Sequence, residues 1–226
     1  MIKFAECGIA GFDYAIKGAR NPLNSWDKID SEWDFDDTEH ESDRPWFNIG
    51  PNDMKLLKKL RDAGTPDHRK YLRMMIVWVD ITAPLYWWKE FDTYKVGAVA
   101  NSCSTMHKIH AKEFTLDDFS CEHLFDDVWE CQDGTDSYYA SHMTDTIRVL
   151  NNARLAYLET KDKKYWWQMI QLLPSSYNQK RTVMLNYEVL VNIYKARKNH
   201  KLDEWHDFCH WIEGFPYAKE LIIGEE

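Results

Sequence analysis

Two carboxamides and a guanidinium, Asn186, Asn192 and Arg197, follow a Leu173-Pro174 step in the stretch LLPSSYNQKRTVMLNYEVLVNIYKARKNHKLDEWH. At about 100° per residue, Asn186, Leu190, Ile193 and Arg197 share one face of a helix. A helix ordinarily turns such a face inward. Burying an amide or a guanidinium there is costly unless each meets a partner. Two readings follow. In one, the face closes a core and Arg197 snorkels from its end, or pairs with Glu188 or Glu204. In the other, the face walls a ligand cavity, where a planar guanidinium donates two parallel hydrogen bonds to a base edge or a carboxylate. Asn186 and Asn192 then either contact a ring edge or simply bond helix to loop.

Other side chains suit other chemistry. Cys103 lies in the small, polar run VGAVANSCS, with Lys95, His107 and His110 near in sequence. A cation beside it would favour the nucleophilic thiolate; without one it is an inert small residue in a loop. His206 and His210, four apart around Cys209, have a chelating spacing. They lack the metalloprotease glutamate and an identifiable third ligand, so no metal is expected.

The elements that must hold these groups are legible in outline. Residues 1–18 open with a short strand. Asn52 or Asp53 caps a helix reaching about Ala63, with Leu56, Leu57 and Leu60 inward and Gly64 as its stop. MMIVWVDIT is a continuous apolar run that reads as a buried strand. Thr82 and Pro84 start a helix over about 84–92. Residues 96–104 suit a loop that approaches a ligand closely. Thr115-Leu-Asp-Asp118 has a capping-box start. A long helix follows Gly134, with Met143, Ile147, Leu150, Arg154 and Leu158 on one face. Helices over 163–173, from Asn186, and near 202–213 complete an α/β (α+β) set: a small sheet with long helices. In the pairs Trp87-Trp88 and Trp166-Trp167, one ring is expected in the core and the other against a neighbour or subunit.

Composition narrows the class. A chain of 226 residues suits one domain, 1–226, with a real core. It has no apolar run long enough for a membrane span and no signal-like N-terminus. Five cysteines without paired spacing suit reduced thiols and a cytoplasmic setting. Residues 27–43 hold nine acids against one lysine, so they carry nearly all of the net charge of −9. That run reads as a solvated segment; it lacks the glycine and terminal glutamate of a calcium loop. No basic stripe appears, and nucleic acid is not an expected partner.

The segment after Leu173-Pro174 resembles the C-terminal signature of the flavin-dependent thymidylate synthases, at Pro174, Asn186, Glu188, Asn192, Arg197, His200 and Glu204. IVWVDITAPLYWWKEFDTYKVGAVANSCSTMH is similar to the strand, Ala-Pro helix start and signature loop of that family, and residues 50–66 to its early helix and Thr-Pro step. The resemblance implies a homotetramer with FAD between subunits, and one-carbon transfer from methylene-tetrahydrofolate to dUMP. It implies cofactor contacts at His68, Thr93, Tyr94, Lys95, Asn186 and Asn192. Substrate contacts are implied at Glu90, Asn101, Ser104 and Arg197, with Arg197 polarising the pyrimidine and Cys103 where the family has a serine. The chain departs from the pattern in its cations. The family's Arg-His-Arg triplet reads Thr93-Tyr94-Lys95. The next arginine falls on Thr105 or, with a one-residue insertion, on Met106. A further arginine is Ile170, and that of Asn-x-Arg is Glu188. A charge-assisted hydrogen bond contributes about 1.5–3 kcal/mol. Three lost contacts remove roughly 4–9 kcal/mol, about three or more decades of affinity. Phosphate binding then requires compensating cations, for which Lys89, Lys95, Lys180 and Arg181 are candidates. The alternative is a catalytically inactive homologue that keeps the fold and oligomer and binds another nucleotide or a protein partner.

Overall fold

A computed structural model describes residues 2–35, 46–124, 129–130, 136–137 and 139–224. The elements are β1 (Lys3–Ala10), α1 (Phe12–Arg20), β2 (Glu32–Asp34), β3 (Trp46–Asn48), α2 (Pro51–Arg61), β4 (Ile76–Pro84) and α3 (Leu85–Phe91). Then come β5 (Ala98–Ser102), β6 (Trp129–Glu130), β7 (Asp136–Ser137), α4 (Tyr139–Thr160), α5 (Lys163–Leu172), β8 (Asn178–Asn186), α6 (Tyr187–Arg197) and α7 (Asp203–Glu213). A 3-10 segment, Pro66–Met74, precedes β4. One sheet has four strands in the order β1-β4-β8-β5; β2–β3 and β6–β7 form two-stranded pieces. This is the mixed helix-and-sheet class that the sequence predicts. Among the described residues, no helix is long and apolar enough to cross a membrane.

Two compact units divide the chain: residues 1–3, 81–93 and 101–181 form one, and 4–80, 94–100 and 182–226 the other. The first is built on α4 and α5. Leu150, Ala153 and Met169 pack with Ile109, Phe114 and Phe119, and Met143, Ile147, Tyr157 and Trp166 flank them. The inward stripe of α4 thus ends on Tyr157, and Leu158 lies 36% exposed. Arg154 satisfies its guanidinium on this face through the His110 carbonyl, Nε to O 3.1 Å. The capping box forms, with Asp118 accepting from the Thr115 N–H at 2.9 Å. Trp166 sits against the core and Trp167 is half-exposed, as expected for that pair. Trp87 and Trp88 depart from the expectation: both are buried in their own unit, joined by a T-shaped contact at 4.9 Å. The predicted helix start after Gly134 lies outside the described residues.

The strands differ from the sequence reading in three places. β4 is one-sided: Val77, Val79 and Ile81 turn inward, while Trp78 is 45% exposed. Its apolar run reflects large residues on both faces, of which only one is covered. Residues 98–102 form β5 where a loop is expected. The stretch before Asn186 is strand β8, although Gln179 is buried in it and only Val183 and Leu185 give it an apolar face.

The helix cap at α2 is a further correction. Gly50 occupies the cap position, and the cap hydrogen bonds come from the acidic segment. Asp30 accepts from the N–H groups of Asn52 and Asp53 at 2.8 and 3.0 Å. Asp53 itself is fully buried. It receives the Arg20 Nε at 2.6 Å, the Asp30 and Ser31 N–H groups at 3.0 and 3.1 Å, and the Ser31 hydroxyl at 2.6 Å. The described part of the acidic run is therefore structural at Asp30; residues 36–43 of it lie outside the described residues.

Removing one partner of a buried pair strands the other charge, at a cost of about 3–5 kcal/mol. Asp53→Ala is expected to lose that much in urea unfolding, whereas Asp30→Ala loses only the cap, about 1 kcal/mol. Arg20→Met/Asp53→Met is expected to regain most of the loss. Equal midpoints for the two alanine variants at unchanged m would contradict this ranking.

Candidate ligand cavity at the start of helix α6

β8 passes into α6 with no loop between them. Asn186 closes the strand in an extended conformation, and its side-chain oxygen accepts the Val189 N–H at 3.0 Å. The Tyr187 N–H meets the Met75 carbonyl at 3.1 Å. Asn186 is thus the N-cap of α6 rather than a residue of its inward face. Leu190 and Ile193 are fully buried, and Arg197 continues their side to the last turn.

The first turn of α6 borders a cavity of about 490 Å³. Asn186, Glu188, Val189 and Asn192 form one wall, Val96 and Gly97 a second, and Pro66, Arg69 and Arg73 a third. Glu188 and Asn192 are four apart and share a face. Gly97 has φ +82°, and a Cβ there would stand 2.5 Å from Asn186 Nδ2 and 2.9 Å from Val189 Cγ2. Only glycine lets the 94–100 backbone come this close to the helix start.

Charge is concentrated on the same walls. Arg69 Nη2 lies 3.1 Å from Glu188 Oε1. Arg69 Nε and Glu188 Oε2 are buried and make no hydrogen bond within the protein. Burial pushes the Glu188 carboxyl above its ordinary range, against the opposing pull of Arg69, Arg73 and Lys195. Arg69 and Arg73 are not among the residues that the sequence pattern points to. Their signal was present: two arginines four apart, just after a Thr-Pro step.

Arg197 does not line this cavity. Its Nε donates to the Tyr94 hydroxyl at 2.9 Å, and its guanidinium lies 4.6 Å from the Trp205 ring and 5.6 Å from the Tyr94 ring. The Trp205 ring covers one side of the guanidinium, and the Tyr94 hydroxyl holds its Nε. Glu188 therefore pairs with Arg69, not with Arg197. Lys95 is exposed, and so is His68, on the rim of an apolar cavity of about 560 Å³ lined by Leu23, Leu56, Leu60 and Met74.

The remaining predicted residues belong to the other unit. Cys103 and Ser104 border a cavity of about 240 Å³ with Tyr177 and Lys180. Cys103 is pinned by its backbone, N to Lys180 O at 2.9 Å, and its thiol side is exposed. The Ser104 hydroxyl accepts the Met106 and His107 N–H groups at 3.2 and 2.9 Å, so it is committed to a turn. Asn101 is exposed, Glu90 is partly buried, and the Thr93 hydroxyl donates to the Glu90 carbonyl at 2.7 Å. Arg181 is held by Asp92 at 2.7 Å, by Gln179 at 3.0 Å and over the Trp88 ring at 4.2 Å. No His, Cys, Asp or Glu cluster among the described residues can hold a metal ion.

With this geometry in view, solved structures of similar fold can be compared. Thymidylate synthase X (ThyX) from Helicobacter pylori, solved with FAD and dUMP, matches with TM-score 0.65 and 15% identity over 98% of this chain and 97% of that one. A second ThyX structure from H. pylori, complexed with FAD and dUMP, gives 0.63 and 15% over 96% and 98%. A UMP/dUMP methylase, PolB from Streptomyces cacaoi bound with 5-Br dUMP, gives 0.62 and 12% over 99% and 94%. No family model matches the chain, and no curated protein does. The chain has the fold of these enzymes; at such identities the likeness is one of fold.

The raised Glu188 pKa has a measurable sign. Its neutral form is favoured in the folded state, so its contribution to stability is full below the ordinary carboxylate range and lost as pH rises through the raised value. Glu188→Gln lacks this titration. Measured by urea unfolding, wild-type stability relative to the variant is expected to fall as pH increases from about 4, then level off. A flat difference across that window would refute the assignment.

Proposed function

We propose that the chain binds nucleotides and uses this fold for thymidylate synthase-like one-carbon transfer to a pyrimidine nucleotide of the dUMP type. FAD and methylene-tetrahydrofolate would take part, and a homotetramer would be the working assembly. The observation that carries this reading is the α6 cavity. It has two guanidiniums, a glycine-permitted close backbone and two carboxamides, in a chain that shares its fold with structures solved with FAD and dUMP. The cavity falls in the usual volume range for small-molecule sites and suits one nucleotide half of FAD.

The residues fit that group in kind. Arg73 would meet anionic oxygens, and Asn192 would meet a ring edge. A bound flavin supplies the hydride chemistry. The chain's part is to bind and orient. Arg197, its plane fixed by Tyr94 and Trp205, would direct parallel donors at a pyrimidine edge or carboxylate. Roles for Glu90, Asn101, Ser104, Lys95, His68 and the Cys103 thiol belong to the same proposal. A second reading, a non-catalytic homologue, is favoured by the residues Thr93-Tyr94 where the family carries cations and by the capture of Arg69 by Glu188.

Purified protein separates the two. The synthase-like reading expects a flavin absorbance spectrum, native or after adding FAD, and tritium release from carbon-5 of labelled dUMP. It also expects dUMP at about 100 Kd to add about 2.7 kcal/mol, a Tm rise of roughly 5–10 °C. Colourless protein that takes up no FAD and is not stabilised by dUMP overturns it. Stabilisation by dUMP without tritium release selects the non-catalytic homologue.

A further inference from the structure

Arg69 carries Nε–H and Nη2–H along one edge of its guanidinium, and a carboxylate facing that edge commonly takes both in parallel. Here only Nη2 is engaged, with Glu188 Oε1 at 3.1 Å. Arg69 Nε and Glu188 Oε2 are left buried with no hydrogen bond inside the protein. Each is bonded to the same carbon as its engaged neighbour, so a donor and an acceptor flank one ion pair. Both residues line the α6 cavity, and the Glu188 side chain is 8% exposed. Buried polar atoms without partners carry the full desolvation cost, and they need an explanation in the structure.

We propose that this half-made fork reads the hydrogen-bonding edge of a nucleobase. Glu188 Oε2 accepts from a base N–H, and Arg69 Nε donates to the adjacent ring nitrogen or carbonyl oxygen. The inference rests on the nucleotide-binding reading above and names the part of the ligand that is recognised there. The charges select this class of partner. Glu188 and Arg69 together are neutral, so a phosphate at this end meets the carboxylate, and an ammonium meets the guanidinium. A neutral edge with neighbouring donor and acceptor satisfies both. Uracil offers N3–H beside a carbonyl; adenine offers its 6-amino group beside N1. The anionic end of the ligand is left to Arg73. Glu188, which stands where the resemblance has an arginine, thereby becomes a specificity residue: an arginine there has no acceptor to offer.

Isothermal titration with matched ligands tests this without a mutation. dUMP is compared with 3-methyl-dUMP, in which a methyl group replaces the N3 hydrogen, and AMP with purine riboside 5′-monophosphate, in which hydrogen replaces the 6-amino group; in each pair the base loses its donor. The parent is expected to bind about 10–100-fold tighter in at least one pair. Equal binding within both pairs overturns the edge-reading proposal and leaves nucleotide binding standing. No binding by any of the four overturns both. A second arm uses Arg69→Met/Glu188→Met, which removes the pair without stranding either charge. The variant, checked as folded by its thermal transition, is expected to retain weak binding through Arg73 and to lose the discrimination. Discrimination that survives in it overturns the proposal.

Discussion

The joint at Asn186 sets the direction of everything along α6. The strand ends and the helix begins on the same residue, and one side-chain hydrogen bond, to the Val189 N–H, fixes where helical winding starts. Each residue of helix adds about 100°, so a start displaced by one position would rotate Glu188 and Asn192 by that amount. They would leave the cavity, and Leu190 and Ile193 would leave the core. Gly97 enforces the same register from outside, because its backbone fits only against a capped Asn186. The cap is ordinary helix chemistry; its consequence here is that cavity and core are set by one dihedral choice.

Electrostatics then decide what such a cavity can hold. The resemblance leaves the chain about three cationic contacts short, roughly 4–9 kcal/mol. The structure shows how little of that is recovered. Arg181 is held by Asp92 and Trp88, Arg197 by Tyr94 and Trp205, and Arg69 by Glu188. Arg73 is exposed and worth about 1.5–3 kcal/mol to an anion. One such contact does not replace three. A nucleotide in this cavity would draw a larger share of its binding free energy from neutral hydrogen bonds and ring contacts than from phosphate, and the unpaired Glu188 and Arg69 atoms are of that neutral kind.

Legibility in the sequence followed the source of each element's stability. Helices α3, α5 and α7, the stripe of α4 and the Thr115 capping box rest on local periodicity and capping, and they were readable. β8 was not, because its inward positions include Gln179 and the half-buried Arg181, whose partners are distant in sequence: the Cys103 carbonyl at 2.6 Å and Asp92 at 2.7 Å. With its strand character hidden, Asn186 reads as part of a helical face, although it is a cap. The α2 cap is hidden for a like reason, since its acceptor, Asp30, lies some twenty residues upstream. At the candidate site, the identities of Asn186, Asn192 and Glu188 stood out, while Arg69 and Arg73 did not. Their role depends on a long-range meeting of the 66–74 segment with α6, which no local pattern encodes.

The two readings of the α6 face turn out to describe different sides of one helix. Glu188 and Arg197 are nine residues apart, close to half a turn in phase, so the side carrying Leu190, Ile193 and Arg197 is the packed one and the side carrying Glu188 and Asn192 is the open one. The 94–100 segment touches both. Tyr94 accepts from Arg197 at one end of the helix, and Gly97 lies against Asn186 at the other. Two residues, Lys95 and Val96, separate those contacts. One short segment thus meets both sides of α6, the packed side through Tyr94 and the open side through Gly97, so the same backbone serves the core and the cavity rim.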